Sequence, residues 1–198
     1  MRTRAPFLLF LSLYLLFALG TFRDFGATWD EPEAYQAGRI LYDHVVHGAP
    51  ITYLDPEHSY PHTFFLRCLT PRADYPTYHF MNLLSALSLF WMVFELLLAQ
   101  YGKPWLALLG PLFLFLNLPF LGSIPANPKD VPFAVFYFLS LGALYLFEEK
   151  LPGFKARWAV LGALFAVTIS SRILGFTLFP LMIFYDLFYR HWLAPKLK

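Results

Sequence analysis

Two adjacent carboxylates lie shortly after the first apolar run, in the stretch TWDEPEAY, residues 28–35. Asp30 and Glu31 stand beside the predicted end of a membrane segment, where a charge is costly unless it faces water, a partner or a metal. Pro32 suits the first turn of a helix, which would place both carboxylates at the positive end of its dipole. Two interpretations stay open: a general base or metal ligand, or a helix cap in which Asp30 accepts hydrogen bonds from exposed amides.

A second charged pair opens a later apolar run, in SIPANPKDVPFAVFYF, residues 123–138. Lys129 and Asp130 lie at the predicted outer mouth of that segment, and Pro132 suits its first turn. One interpretation is a capping aspartate with a lysine that extends towards the membrane surface. The other places Asp130 opposite Asp30 across one cavity, since the predicted topology puts both on the same side.

Arg172 is the third candidate, flanked by long apolar runs in ISSRILGF, residues 169–176. An arginine at that depth requires an anion or a cavity to face, and the guanidinium fork suits a phosphate. The alternative is an arginine that reaches the outer headgroups without a specific ligand.

Histidines and acids of the first long loop form a weaker pattern. A zinc or manganese site could draw on these groups, but their spacing matches no standard ligand motif, so no metal ligand is assigned and a divalent metal stays an open possibility. The residues concerned are His44, His47, Asp55, Glu57, His58 and His62.

The elements that must position these residues are apolar helices. The chain has 198 residues, of which 58% are hydrophobic and 14% charged, with a mean hydropathy of +0.52. This composition predicts an all-α, polytopic integral membrane protein, with residues 1–198 as a single membrane domain. We expect this multi-pass protein in the cell (inner) membrane. The net charge of +2 and the lack of a basic tract exclude a nucleic-acid partner.

Six apolar runs predict about six membrane spans. Basic residues are densest in the short connections on the side of the N-terminus, which predicts that both termini are cytoplasmic and that the acidic connections are extracytoplasmic. The fifth and sixth runs are separated by only three residues, and we interpret them as a tight hairpin rather than one broken helix. The runs are Pro6 to Phe22, Tyr78 to Ala99, Pro104 to Leu121, Val131 to Phe147, Trp158 to Ser170 and Ile173 to Tyr189.

The first extracytoplasmic loop, residues 23–77, is the only substantial polar segment. Helical spacing of its apolar residues, with Pro32 at the start and Gly48 at the end, predicts an amphipathic helix on the outer membrane surface. The following stretch, residues 49–65, is rich in proline and aromatic residues and predicts an irregular interfacial loop.

The combined pattern resembles the membrane-embedded GT-C glycosyltransferases, specifically the superfamily of protein O-mannosyltransferases and the lipid A aminoarabinose transferase. The resemblance rests on WDEPEAYQAGRIL after the first run, NPKDVPFAVFYFL at the fourth and SSRILGF between the fifth and sixth. It covers the whole chain as the N-terminal half of such an enzyme, so we expect a fragment or a chain that requires a partner.

The resemblance implies a sugar transfer from a polyprenyl-phosphate donor in the membrane lipid to an extracytoplasmic acceptor, which is a glycan, lipid or protein. It implies that Asp30 is the catalytic base with Glu31 as its neighbour, and that Asp130 binds the acceptor or a metal. Lys129 and Arg172 would stabilise the donor phosphate as it leaves. The alternative from another class is a non-catalytic membrane protein that binds a polyprenyl lipid or partners an enzyme.

Overall fold

The computed structural model describes residues 4–51, 60–70, 74–149, 153, 155–185 and 187–188. Every regular element within these ranges is helical, which confirms the all-α prediction. In chain order the elements are α1 (Ala5–Thr21), α2 (Glu31–His47), α3 (Tyr60–Leu69), α4 (Tyr75–Tyr101), α5 (Pro104–Leu116), α6 (Leu118–Ala126), α7 (Asp130–Glu149), α8 (Arg157–Ser171), a 3-10 turn (Ile173–Thr177) and α9 (Leu178–Phe184).

The largest core forms where α1 packs along α4 through aromatic side chains. The rings of Phe7 and Phe94 stack with 4.1 Å between their centroids, and Tyr14 meets Phe90 edge-on at 4.9 Å. Tyr14 also donates a buried hydrogen bond of 2.9 Å to the Leu83 carbonyl. Aromatic pairs in these geometries add about 0.5–1.5 kcal/mol each beyond the area they bury, so they fix α1 against α4.

Two or three helices are long and apolar enough to cross a bilayer. They are α4, the first 18 residues of α7 and, if a bent pair counts as one span, α5 with α6. The other apolar helices, α1, α8 and α9 with its preceding turn, are shorter. Each of the six predicted runs contains helix in its described residues, but six spans are not confirmed for the described part of the chain.

Large apolar side chains cover the outside of these helices, which is consistent with a membrane protein. Isolated exposed leucines are normal on soluble proteins, but a continuous apolar face requires lipid or a partner. On α1 the exposed leucines are Leu8, Leu9, Leu13, Leu15, Leu16 and Leu19.

The sequence predicts a single membrane span over the third apolar run, whereas in the structure this run breaks at Asn117. The chain bends by 69° between α5 and α6. Pro119 lies in the first turn of α6, and the Asn117 side chain accepts a hydrogen bond of 3.1 Å from the Phe120 amide. A proline that cannot extend the α5 ladder and a capping asparagine together start a new helix here.

The chain turns sharply between the fifth and sixth runs, so the two runs do not form one continuous helix. The rings of Phe165 in α8 and Phe179 in α9 lie 6.1 Å apart, whereas a continuous helix would separate residues this far apart in sequence by about 21 Å. Gly175 allows the return, since a Cβ there would lie 2.7 Å from the Ile169 Cα.

The loop of residues 23–77 contains one predicted helix and one that was not predicted. α2 begins and ends as expected, and Gly48 takes the left-handed conformation that ends the helix (φ 67°). The prediction of an irregular loop was wrong for residues 60–65, which begin α3. Its buried residues His62, Thr63 and Leu66 form one helical face, so tertiary burial of that face favours the helix despite Pro61 near its start. Residues 52–59 lie outside the described residues.

Candidate functional site

A completely buried carboxylate, Glu31, fixes the start of α2 to the helix bundle. Its side chain is 0% exposed and accepts hydrogen bonds from His79 Nε2 (2.7 Å), the Tyr35 hydroxyl (3.0 Å) and the Thr28 amide (2.6 Å). Because a carboxylate only accepts, Nε2 of His79 carries the proton in this contact. Glu31 therefore joins the first turn of α2 to α4, and it does not face solvent.

The polar network continues from Tyr35 to His62 through Asn82. The Asn82 amide nitrogen donates to the Pro125 carbonyl at 2.7 Å and lies 3.5 Å from the Tyr35 hydroxyl. Its carbonyl oxygen then accepts from His62 Nε2 at 2.7 Å. These bonds connect α2, α3, α4 and α6 in one buried network, which specifies how the helices pack. Within the described residues the Nδ1 of His79 is its one buried atom without a hydrogen-bond partner.

Burial shifts the titration of the network groups that lie outside the candidate spans. It lowers the pKa of His62 to about 4, against a smaller opposing effect of the Asn82 hydrogen bond. It also raises the pKa of Tyr35 well above its ordinary value, with the negative charge of Glu31 adding to the rise. At neutral pH, His62 and Tyr35 are therefore uncharged, and the Tyr35 hydroxyl keeps the proton that it donates to Glu31.

Asp30 occupies the N-cap position of α2, but its side chain makes no capping hydrogen bond. The interpretation of Asp30 as a side-chain cap is therefore wrong, since the helical backbone of Asp30 (φ −83°, ψ −15°) departs from the extended conformation typical of a cap. Asp30 is half-buried, and within the described part of the chain its carboxylate has no hydrogen-bond or ion-pair partner. It is thus available to a ligand at the bundle surface.

Asp130 and Arg172 lie together as an ion pair between the start of α7 and the end of α8. The Asp130 side chain is 62% exposed and that of Arg172 is 29% exposed. One interpretation made Asp130 the cap of α7, and this is wrong. Asn127 instead accepts the hydrogen bonds from the amides of Lys129 (3.1 Å) and Asp130 (2.7 Å). The Nε of Arg172 is buried and has no hydrogen-bond partner in the described residues.

One hydrogen bond brings the two acidic turns together. The Thr28 hydroxyl donates to the Ala126 carbonyl at 2.5 Å, so the turn that carries Asp30 lies against the turn that leads to Asp130. We call this part of the molecule, residues 28–31, 126–130 and 172, the acidic end. At the opposite end, Arg4 pairs with Glu95 at 3.0 Å, which shows that α1 and α4 run antiparallel.

The described residues do not form a metal centre. No three histidine, cysteine, aspartate or glutamate side chains come together in the part of the chain that the structure describes. His62 is buried on Asn82, while His44 Nδ1 donates to the Ala49 carbonyl at 2.8 Å. Asp55, Glu57 and His58 of the predicted set lie outside the described residues. The donors at the acidic end do not fit a divalent ion, because Asp130 is already paired with Arg172.

Sequence reasoning missed His79 and Asn82, which form the centre of the buried network. Both lie inside the apolar run YHFMNLLSALSLF, three positions apart and therefore on one helical face. Polar residues inside a candidate membrane span are expensive and usually face the bundle interior. This signal was present in the sequence and would have identified both residues.

Comparisons of the chain with protein-family models, with curated proteins and with solved structures give no match.

Proposed function

We propose that this chain takes part in transferring a sugar from a polyprenyl-phosphate donor in the membrane to an extracytoplasmic acceptor. The observation that carries the proposal is the Thr28–Ala126 hydrogen bond, which holds the Asp30 turn against the Asp130 turn. An unpaired carboxylate and an arginine with an unsatisfied nitrogen thus share one end of an apolar helix bundle. A donor that cannot leave the bilayer would meet both groups at that end.

In the proposed reaction Asp30 acts as general base. It removes the proton of the acceptor hydroxyl, whose oxygen attacks the anomeric carbon of the donor sugar. The bond between that carbon and the phosphate oxygen breaks, and the polyprenyl phosphate leaves with the electron pair. Lys129 and Arg172 offset the negative charge that develops on the phosphate. Attack opposite the leaving group inverts the configuration at the anomeric carbon.

Glu31 takes a different role from Asp30 in this proposal. Its carboxylate is enclosed by His79, Tyr35 and Thr28, so it is a positioning residue that holds the Asp30 turn in place. Asp130 likewise orients Arg172 through their ion pair.

The test replaces Asp30 by asparagine and measures sugar transfer in native membranes, with a panel of radiolabelled polyprenyl-phosphate sugars. Loss of a general base lowers the rate by roughly 100- to 10,000-fold, and the half-buried Asp30 side chain makes no bond within the described residues that asparagine would break. Asp24→Asn is the matched control, because Asp24 is an exposed acid in the same connection. Transfer by Asp30→Asn at the wild-type rate per folded molecule would contradict the catalytic role.

A second function, binding of a polyprenyl lipid without transfer, is favoured by one observation. Glu31 is enclosed and Asp130 is paired, so two of the three candidate carboxylates are engaged by the protein itself. If wild-type membranes bind the donor lipid but release no sugar to any acceptor, this second function stands and the first is rejected.

A further inference from the structure

A cleft of about 530 Å³ lies between α2, α3 and the start of α4, beside the acidic end. On the α2 side it is lined by Tyr35, Arg39 and Asp43, which follow one another at intervals of four residues along one face of the helix. Glu31 precedes them on the same face. The cleft therefore begins one turn from the acidic end and extends for about 12 Å along α2.

Two guanidinium groups from different helices face this cleft, Arg39 from α2 and Arg67 from α3. Arg39 is largely exposed and pairs with Asp43 within its own helix at 3.7 Å, an arrangement that contributes little and is easily exchanged. The Nε of Arg67 is buried and has no hydrogen-bond partner in the described part of the chain. A buried donor without an acceptor is costly. Because the Arg67 side chain also lines the cleft, an anion bound there would offset part of that cost.

The carboxylates in the cleft are already engaged by the protein. Asp74 caps α4 by accepting from the Thr77 amide (3.1 Å) and hydroxyl (2.8 Å), and these bonds lower its pKa. Asp43 is the partner of Arg39. Of the two guanidinium groups among the described residues that line the cleft, Arg39 is paired with Asp43 and that of Arg67 remains to recognise a ligand.

Aromatic rings form the remaining wall of the cleft. Tyr35 and Tyr78 stack with 4.1 Å between centroids, and Tyr75 lies 5.8 Å from Tyr35. Tyr75 remains 38% exposed. A ring with one apolar face open to a polar cleft suits a ligand that has both apolar C–H faces and hydroxyl groups, as a sugar does.

We propose that the cleft between α2, α3 and α4 binds a sugar that carries an anionic group, with Arg67 on the anion and Tyr75 against the sugar ring. Phosphate and carboxylate share the acceptor geometry that a guanidinium recognises. The inference rests on the proposed function only in naming the occupant. That occupant would be the acceptor, because the lining residue Tyr35 donates a hydrogen bond to Glu31 of the acidic end.

The experiment measures binding to the purified full chain in phosphatidylcholine nanodiscs by calorimetry. The probes are glucose 6-phosphate, glucuronate, inorganic phosphate and glucose. We expect saturable binding of the two anionic sugars, weaker binding of inorganic phosphate and none of glucose. Equal binding of glucose and glucose 6-phosphate, or no saturable binding of any anionic sugar, would overturn the proposal.

Two pairs of variants separate the anion contact from the ring contact. Arg67→Gln should weaken binding of both anionic sugars roughly tenfold or more, while Arg157→Gln at the start of α8 should leave it unchanged. Tyr75→Ala should weaken binding of the two anionic sugars but not binding of inorganic phosphate. Tyr101→Ala, at the other end of α4, should change neither. Unchanged binding by Arg67→Gln would exclude the site. Should Arg67→Gln not fold, as thermal unfolding would show, Tyr75→Ala still tests the cleft.

A lipid headgroup is the competing source of an anion. In nanodiscs of anionic phosphatidylglycerol instead of phosphatidylcholine, glucose 6-phosphate should bind equally well. Loss of that binding would mean that the lipid headgroup competes for the cleft, and the cleft would be assigned to lipid. Binding of glucose 6-phosphate by the wild-type protein without sugar transfer contradicts the proposed function alone, and sugar transfer without Arg67-dependent binding contradicts this inference alone.

Discussion

At the residue scale, the adjacent carboxylates of Asp30 and Glu31 differ in burial and in hydrogen bonding. Asp30 is half-buried and unpaired within the described residues, whereas Glu31 is completely buried and accepts three hydrogen bonds from different residues. Helical geometry explains the difference, since successive residues point about 100° apart. One side chain turns to the bundle surface and the next turns into the interior. Only the second can fix the helix, and only the first can meet a ligand.

This division predicts opposite effects of two substitutions in the same turn. Glu31→Gln keeps the shape of the side chain but replaces one accepting oxygen by an NH2 group, which donates. Two donors then face each other, either at the Thr28 amide or at Tyr35 and His79. We expect a loss of about 1–3 kcal/mol in stability, measured by thermal unfolding in nanodiscs. Glu33→Gln, on the exposed face of the same turn, is the control and should change stability by less than about 0.5 kcal/mol. Equal stability of both variants would show that the Glu31 network is not structural.

At the element scale, α2 and α3 approach each other closely at a single glycine. A Cβ on Gly38 would lie 2.7 Å from the carbonyl carbon of Thr63, so α3 can pack on α2 only where no side chain intervenes. The contact matters for function because it positions Arg67 on one wall of the proposed cleft and Arg39 on the other.

We therefore expect Gly38→Ala to separate α2 from α3. Overpacking against rigid backbone costs about 1–3 kcal/mol, which exceeds the gain of up to about 1 kcal/mol that alanine brings to a helix. Gly162→Ala in α8 is the matched control, because nothing lies within 4 Å of its Cβ position, and it should gain that stability. Thermal unfolding and glucose 6-phosphate binding measure the two consequences. A Gly38→Ala protein as stable as Gly162→Ala would contradict the close packing.

The sequence predicted those elements whose ends carry local signals. Pro32 and Gly48 mark α2, and the three residues between the fifth and sixth runs mark the return of α9 onto α8. The break at Asn117 was missed because Asn117 and Pro119 lie inside an apolar run and composition alone favours one span. α3 was missed for a different reason: its helical face becomes apparent only when Gly38 provides the surface on which it packs.

At the scale of the whole molecule, alternation of the chain direction explains why the candidate residues share one end. The first apolar run leads to Asp30, the third to Asp130 and the fifth to Arg172, so odd-numbered connections fall together. The sequence predicted that shared end. It could not predict the contacts themselves, since the Thr28–Ala126 bond and the Asp130–Arg172 pair join residues far apart in sequence.

Sidedness is the prediction that belongs to this scale. Basic residues in the connection between α7 and α8 predict that it is cytoplasmic and that the acidic end is extracytoplasmic. Gly26 and Gly153 report on the two ends, because both are exposed and a Cβ at either position meets no atom within 4 Å.

Each glycine is replaced by cysteine in a Cys68→Ser background, since the native cysteine is itself exposed. A maleimide that cannot cross the cell membrane should label Gly26→Cys in intact cells and label Gly153→Cys only after lysis. The background protein without either cysteine controls for labelling elsewhere. If Gly153→Cys is labelled in intact cells and Gly26→Cys is protected, the acidic end faces the cytoplasm. An acceptor outside the cell membrane could then not reach Asp30, and the proposed transfer would fail together with the predicted orientation.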